Sequence, residues 1–176
     1  MTKDPKRMLF ELPTADEIDS LAITAPKFEV RRFELDMGSN KADLNYTPCK
    51  GQMVVVILGE KGVALAKDEA SGGWRLPSGR IAILEDAEAA AKRVAREDCG
   101  LTVTSLELAG IYDVVWHYSD ISIKRLHLVY AGVTEDDCWT EARPCKGREA
   151  KFFREVPEGA LRNEVERAAL ADCSEK

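Results

Sequence analysis

The stretch from Trp74 to Leu101 limits the fold most severely, because a Gly-rich turn there runs straight into a helix whose ends and inner stripe can be read directly. Ser71 to Arg80 is rich in Gly and carries Pro77, so it reads as a loop. From Asp86 to Cys99, residues Ala87, Ala90, Ala91, Val94 and Ala95 recur on one stripe, and Gly100 stands where a helix C-cap belongs. Ahead of the loop, Gln52–Leu58 and Val63–Ala66 are apolar runs joined by Gly59-Glu60-Lys61-Gly62, the pattern of a β-hairpin. After the helix, 101–108, 110–117 and 123–133 read as strands. A polar stretch over 134–149 reads as loop, Lys151-Phe152-Phe153 as a short apolar run, and 158–171 as a final helix. The expected architecture is α/β, a mixed sheet sandwiched between helices.

Residues 1–50 differ in texture and are expected to form an N-terminal extension to a domain over 51–176. Thr14-Ala15-Asp16-Glu17-Ile18 offers a capping-box helix start, and Phe28–Leu35 alternates in part as a strand does. One reading makes that strand a contact with a partner subunit, as in a homodimer. At 45% hydrophobic residues the chain can build an ordinary core, whereas its net charge of −6 argues against nucleic acid as a partner. Met53–Leu58 is the longest apolar run and is far too short to cross a membrane, so a cytoplasmic protein is expected. The five cysteines form no Cys-x-x-Cys pair, which removes the usual zinc pattern.

Glu97 and Asp98 are misplaced for stability. They occupy the last turn of the helix, where the macrodipole is negative and a cationic side chain would be favoured. At about 100° per residue, Asp98 falls on the apolar stripe that faces the sheet, and Glu97 lies at its edge beside Arg93. A cation would resolve the conflict; the alternative is a frayed helix end with both acids in water.

Gly79, Glu85, Arg93, Glu97, Gly100 and Leu101 resemble the Nudix box, G-x5-E-x7-R-E-U-x-E-E-x-G-U with U aliphatic, and Trp74-Arg75-Leu76-Pro77-Ser78-Gly79 resembles its usual W-x-L-P-G-G lead-in. The resemblance implies the Nudix fold, covers roughly 52–171, and departs from the pattern at Val94, where the family has Glu, at Asp98, where it has a second Glu, and at Ser78. It implies Mg²⁺ or Mn²⁺ held by Asp98, Glu97 and the backbone carbonyl of Ser78. It also implies structural roles for Gly79, Glu85, Arg93 and Gly100, with an ion pair between Glu85 and Arg93.

Val94 cannot act as a base. GDP-mannose mannosyl hydrolases are similar in having an apolar residue there and in the Gly79-Arg80-Ile81 stretch, but they take a His from a late loop that has none here. Glu149 is therefore the expected base, with Glu141 and His117 as alternatives, and Glu97 the other catalytic candidate. Trp74, Arg80 and His117 are expected at the substrate, Trp74 by stacking, although a core or anchoring role fits it equally. The leading expectation is a metal-dependent hydrolase of a nucleoside diphosphate linked to another moiety, either a nucleotide sugar or an ADP-ribose-like pyrophosphate. The alternative is a Nudix-fold nucleotide-binding or regulatory domain impaired in catalysis by the loss of the box Glu.

Overall fold

A computed structural model describes residues 30–38, 51–67, 72–119, 122–136, 138–145, 148–161 and 163–174. Those residues form nine strands and two helices: β1 (Val30–Gly38), β2 (Gly51–Gly59), β3 (Gly62–Lys67), β4 (Trp74–Arg75), β5 (Ser78–Ile81), α1 (Ala87–Cys99), β6 (Val103–Tyr118), β7 (Ser122–Thr134), β8 (Arg143–Cys145), β9 (Arg148–Phe153) and α2 (Glu164–Ser174). The strands join one sheet in the order β1-β6-β7-β2-β3-β9-β8. Pairing is parallel for β1 with β6 and β2 with β7, and antiparallel elsewhere.

The β2/β3 hairpin turns where glycine is required. Gly62 has φ 119°, and a Cβ on it would run into the Phe153 carbonyl, so no other residue fits without strain. Only Leu58 and Gly59 of β2 then pair with β3, at Val63 and Gly62, while the first half of β2 pairs with β5. That divergence lets the 74–81 segment lie between the two strands and brings it under α1.

Alternate residues of each strand face opposite sides. Met53, Val55, Ile57, Ala64 and Ala66 pack with Ala90, Ala91, Val94 and Ala95 of α1, whereas Val54, Val56, Leu65, Leu76, Tyr112 and Val129 pack with Val165 and Ala169 of α2. The result is a helix/sheet/helix sandwich. The α1 ends are as expected: Asp86 caps Ala89 N, and Gly100, at φ 67°, returns its N–H to Ala95 and Arg96.

Three expectations need correction. The turn segment expected as loop contains β4 and β5, because its backbone completes ladders on β3 and β2. Glu149 lies on β9 rather than in a loop, and β8, expected as loop, pairs with it. Finally, α2 begins at Glu164, since Gly159 and Leu161 take φ of 85° and 69°, which a helix starting at 158 could not accommodate. Phe28–Leu35 is expected to contain a strand, and its described part lies in β1, paired within its own chain to Ile111–Tyr118. The expected helix at 14–18 lies outside the described residues. No helix among the described residues is long and apolar enough to cross a membrane.

Candidate functional site

Helix α1 and strand β5 meet at Gly79, where a Cβ would come 3.0 Å from Val94 Cγ2. Glycine there admits close approach of helix to strand, and Val94, 1% exposed, fills the contact as part of the core. One turn later Asp98 is 6% exposed, so the burial expected from its place on the apolar stripe is present and the helix end is not frayed into water.

The cation that offsets this burial comes from the chain itself. Arg75, also 6% exposed, donates from Nη1 to Asp98 Oδ2 at 2.9 Å, to the Leu76 carbonyl at 3.1 Å and towards Ser78 Oγ at 3.5 Å. Asp98 Oδ2 also accepts the Ser78 N–H at 2.9 Å. Strand pleat explains why Arg75 arrives here: paired with Ala66, it faces the α1 side. Its neighbour Trp74 faces the α2 side, packs edge-on to Phe153 at 5.1 Å, and has the ammonium groups of Lys67 and Lys151 over its ring. Trp74 is therefore not brought together with the acids of α1. On the α2 side the buried carboxylate of Glu166 accepts the Leu76 N–H at 2.8 Å, so the 74–78 segment is held from both layers.

Arg93 organises a second, more exposed cluster. Its Nε donates to Glu85 Oε2 at 2.8 Å and its Nη1 to Glu97 Oε2 at 3.0 Å, while Nη2 reaches Glu85 Oε1 at 2.9 Å and the Arg80 carbonyl at 2.6 Å. The hydrogen bond from Arg93 holds the Glu85 carboxyl below its ordinary range against the opposing effect of burial, and the same bond raises Arg93. Glu85 and Arg93 thus form the expected ion pair, and Glu97 joins it rather than Asp98.

A divalent cation such as Mg²⁺ or Mn²⁺ needs several oxygen ligands converging from different residues. The residues do not fit one in this arrangement. Val94 offers no oxygen, Glu97 is drawn to Arg93, and Asp98 holds a guanidinium; among the described residues no three His, Cys, Asp or Glu side chains are gathered closely enough to hold a metal.

The remaining candidates are dispersed. Glu149 is exposed, with Lys67 Nζ at 3.5 Å, and Glu141 is exposed on the preceding segment. His117, near the end of β6, has Nδ1 2.8 Å from Ser122 Oγ and Nε2 3.2 Å from Glu34 Oε1. Arg80, on β5 opposite Gln52, has Nη1 buried with no hydrogen-bond partner among the described residues, a costly state for a charged donor.

Sequence reasoning passed over Arg75 and Glu166. The signal for Arg75 was its place in the lead-in motif; Glu166 sits next to Val165 on the inner side of α2 with nothing in its spacing to mark it.

A family model for the NUDIX domain matches residues 49–171. Among solved structures, the chain is similar to the Bacillus subtilis pyrophosphohydrolase BsRppH at 21% identity and a TM-score of 0.55, covering 71% of this chain and 81% of that one. It is also similar to a MutT NUDIX hydrolase from Burkholderia pseudomallei (20%, TM-score 0.53, 69% and 95% covered). A third is an ADP-ribose pyrophosphatase from Streptococcus suis (16%, TM-score 0.51, 71% and 91% covered). At these identities the structural likeness is one of fold. No curated protein matches the chain. With the box geometry and a family match spanning most of its length, the chain belongs to the Nudix hydrolase family.

Proposed function

We propose that this Nudix domain binds a nucleoside diphosphate joined to another moiety, such as ADP-ribose or a nucleotide sugar, and is impaired in the metal-assisted hydrolysis of its family. One observation carries the reading: a guanidinium donor of Arg80 is buried without an acceptor among the described residues, beside a helix whose inner carboxylate is already neutralised by Arg75. A phosphate oxygen supplies the acceptor that Arg80 lacks, in a charge-assisted bond. The substrate class comes from the family, in which the Streptococcus suis relative is named for ADP-ribose.

A second reading, a Mg²⁺- or Mn²⁺-dependent pyrophosphohydrolase, is favoured by the family and by the Glu97 side chain, which at 44% exposed is open to an ion from solvent where Asp98 is not. A panel of ADP-ribose, nucleotide sugars, dinucleoside polyphosphates and nucleoside triphosphates, each with Mg²⁺, with Mn²⁺ and with EDTA, separates the two. The proposed function predicts no turnover of any member above the no-enzyme rate. Turnover of one member that requires metal and is lost in EDTA would establish the second reading instead.

A further inference from the structure

Losing one box carboxylate would leave a weakened metal site; the geometry here is of another kind. The inner stripe of α1 presents a single carboxylate to β4 and β5, and that carboxylate is met by a side chain of fixed positive charge. We infer that Arg75 is the resident cation of this site: its guanidinium occupies the place against Asp98 that a divalent ion would need, and excludes that ion.

Three features carry this. The pair is nearly sealed, with the Arg75 side chain 7% and the Asp98 side chain 8% exposed, so an ion could reach Asp98 only by displacing a buried cation. The same Nη1 group touches the Leu76 carbonyl and approaches Ser78 Oγ, so Arg75 binds the polar groups of the turn as well as the acid. Guanidinium also presents its donors in a rigid planar fork that suits a carboxylate, so Arg75 meets Asp98 with both charge and hydrogen bond. Arg75 is thereby a positioning residue. It clamps the segment that carries Gly79 and Arg80 onto α1, while Glu166 fixes that segment from the opposite layer. This inference is independent of whether the domain takes a nucleotide, and its test contains none.

The test uses the full chain and MnCl₂ alone, read by the electron paramagnetic resonance signal of free Mn²⁺ and by thermal melting. Wild type is expected to remove no Mn²⁺ saturably and to melt at the same temperature in EDTA and in millimolar Mn²⁺. Arg75→Gln uncovers Asp98 and adds an amide oxygen beside it; it is expected to melt several degrees lower in EDTA and to recover part of that loss in Mn²⁺. Adding Asp98→Asn to that variant should abolish the recovery. Saturable binding of Mn²⁺ by wild type that Asp98→Asn removes would overturn the inference, and this comparison stands even if Arg75→Gln fails to fold. A folded Arg75→Gln protein whose melting does not respond to Mn²⁺ would overturn it as well.

Discussion

Arg75 and Asp98 are separated by 23 residues in sequence and by 2.9 Å between their side chains. Helical spacing alone put Asp98 on the inner stripe and left a cation or a frayed helix end as the resolution; it could not say which cation, because the answer depends on β4 pairing with β3 so that Arg75 rather than Trp74 faces α1. The same limit applies to Arg80, whose place in the motif was legible but whose buried, partnerless Nη1 was not. Replacing that side chain gives a prediction at the residue scale. Arg80→Met should weaken ADP-ribose affinity roughly tenfold or more, since a hydrogen bond to a charged group contributes about 1.5–3 kcal/mol. It should leave the melting temperature unchanged or raised, because it removes an unsatisfied buried donor. Glu149→Gln should shift affinity by less than about twofold, because that carboxylate is exposed and paired only loosely with Lys67. Titration calorimetry on both variants checks the contrast; equal losses would mean that Arg80 has no special part in recognition.

Helix α1 was almost fully legible because its signals are local. Asp86 at the start, Gly100 at the end and small residues on one face need no knowledge of the rest of the chain. The start of α2 was not legible, since Glu158 to Asn163 carries helix-compatible residues around a break set by the backbone at Gly159 and Leu161. Strand β8 and the first half of β9 were obscured by polar composition, their pairing being fixed by ladder partners rather than by periodicity. The Glu85–Arg93 clasp links the β5–α1 turn to the middle of the helix, and its pH dependence follows from the lowered Glu85 carboxyl. A carboxyl whose folded pKa lies below its unfolded value contributes stability that is fully present above about pH 4.3 and is lost as pH falls through the folded pKa. Glu85→Gln should therefore be less stable than wild type at neutral pH, with the difference narrowing as the solution is acidified below about pH 4.3. Melting curves from pH 7 downward test this. A difference that stays constant with pH would assign the loss to packing instead.

Across the whole molecule, the sandwich places its two layers in different roles. The α1 layer holds the motif and the internal ion pair, while the α2 layer ties the sheet together at the other side. There Asp172 accepts both the Tyr112 hydroxyl and, through its two oxygens at 3.1 and 3.0 Å, Arg31 of β1. Burial, followed by the hydrogen bond to Asp172, raises the Tyr112 hydroxyl well above its usual range, so it stays protonated in the folded protein. β1, β6 and α2 are in this way joined around one carboxylate, which anchors the described part of the N-terminal segment to the domain. On the proposed function, such a domain recognises a nucleoside diphosphate derivative through Arg80 and without a divalent ion. Calorimetric titration of wild type with ADP-ribose, once in EDTA and once in millimolar Mg²⁺, tests that claim most directly. Dissociation constants within about twofold of each other are predicted; binding that appears only with Mg²⁺ would contradict it.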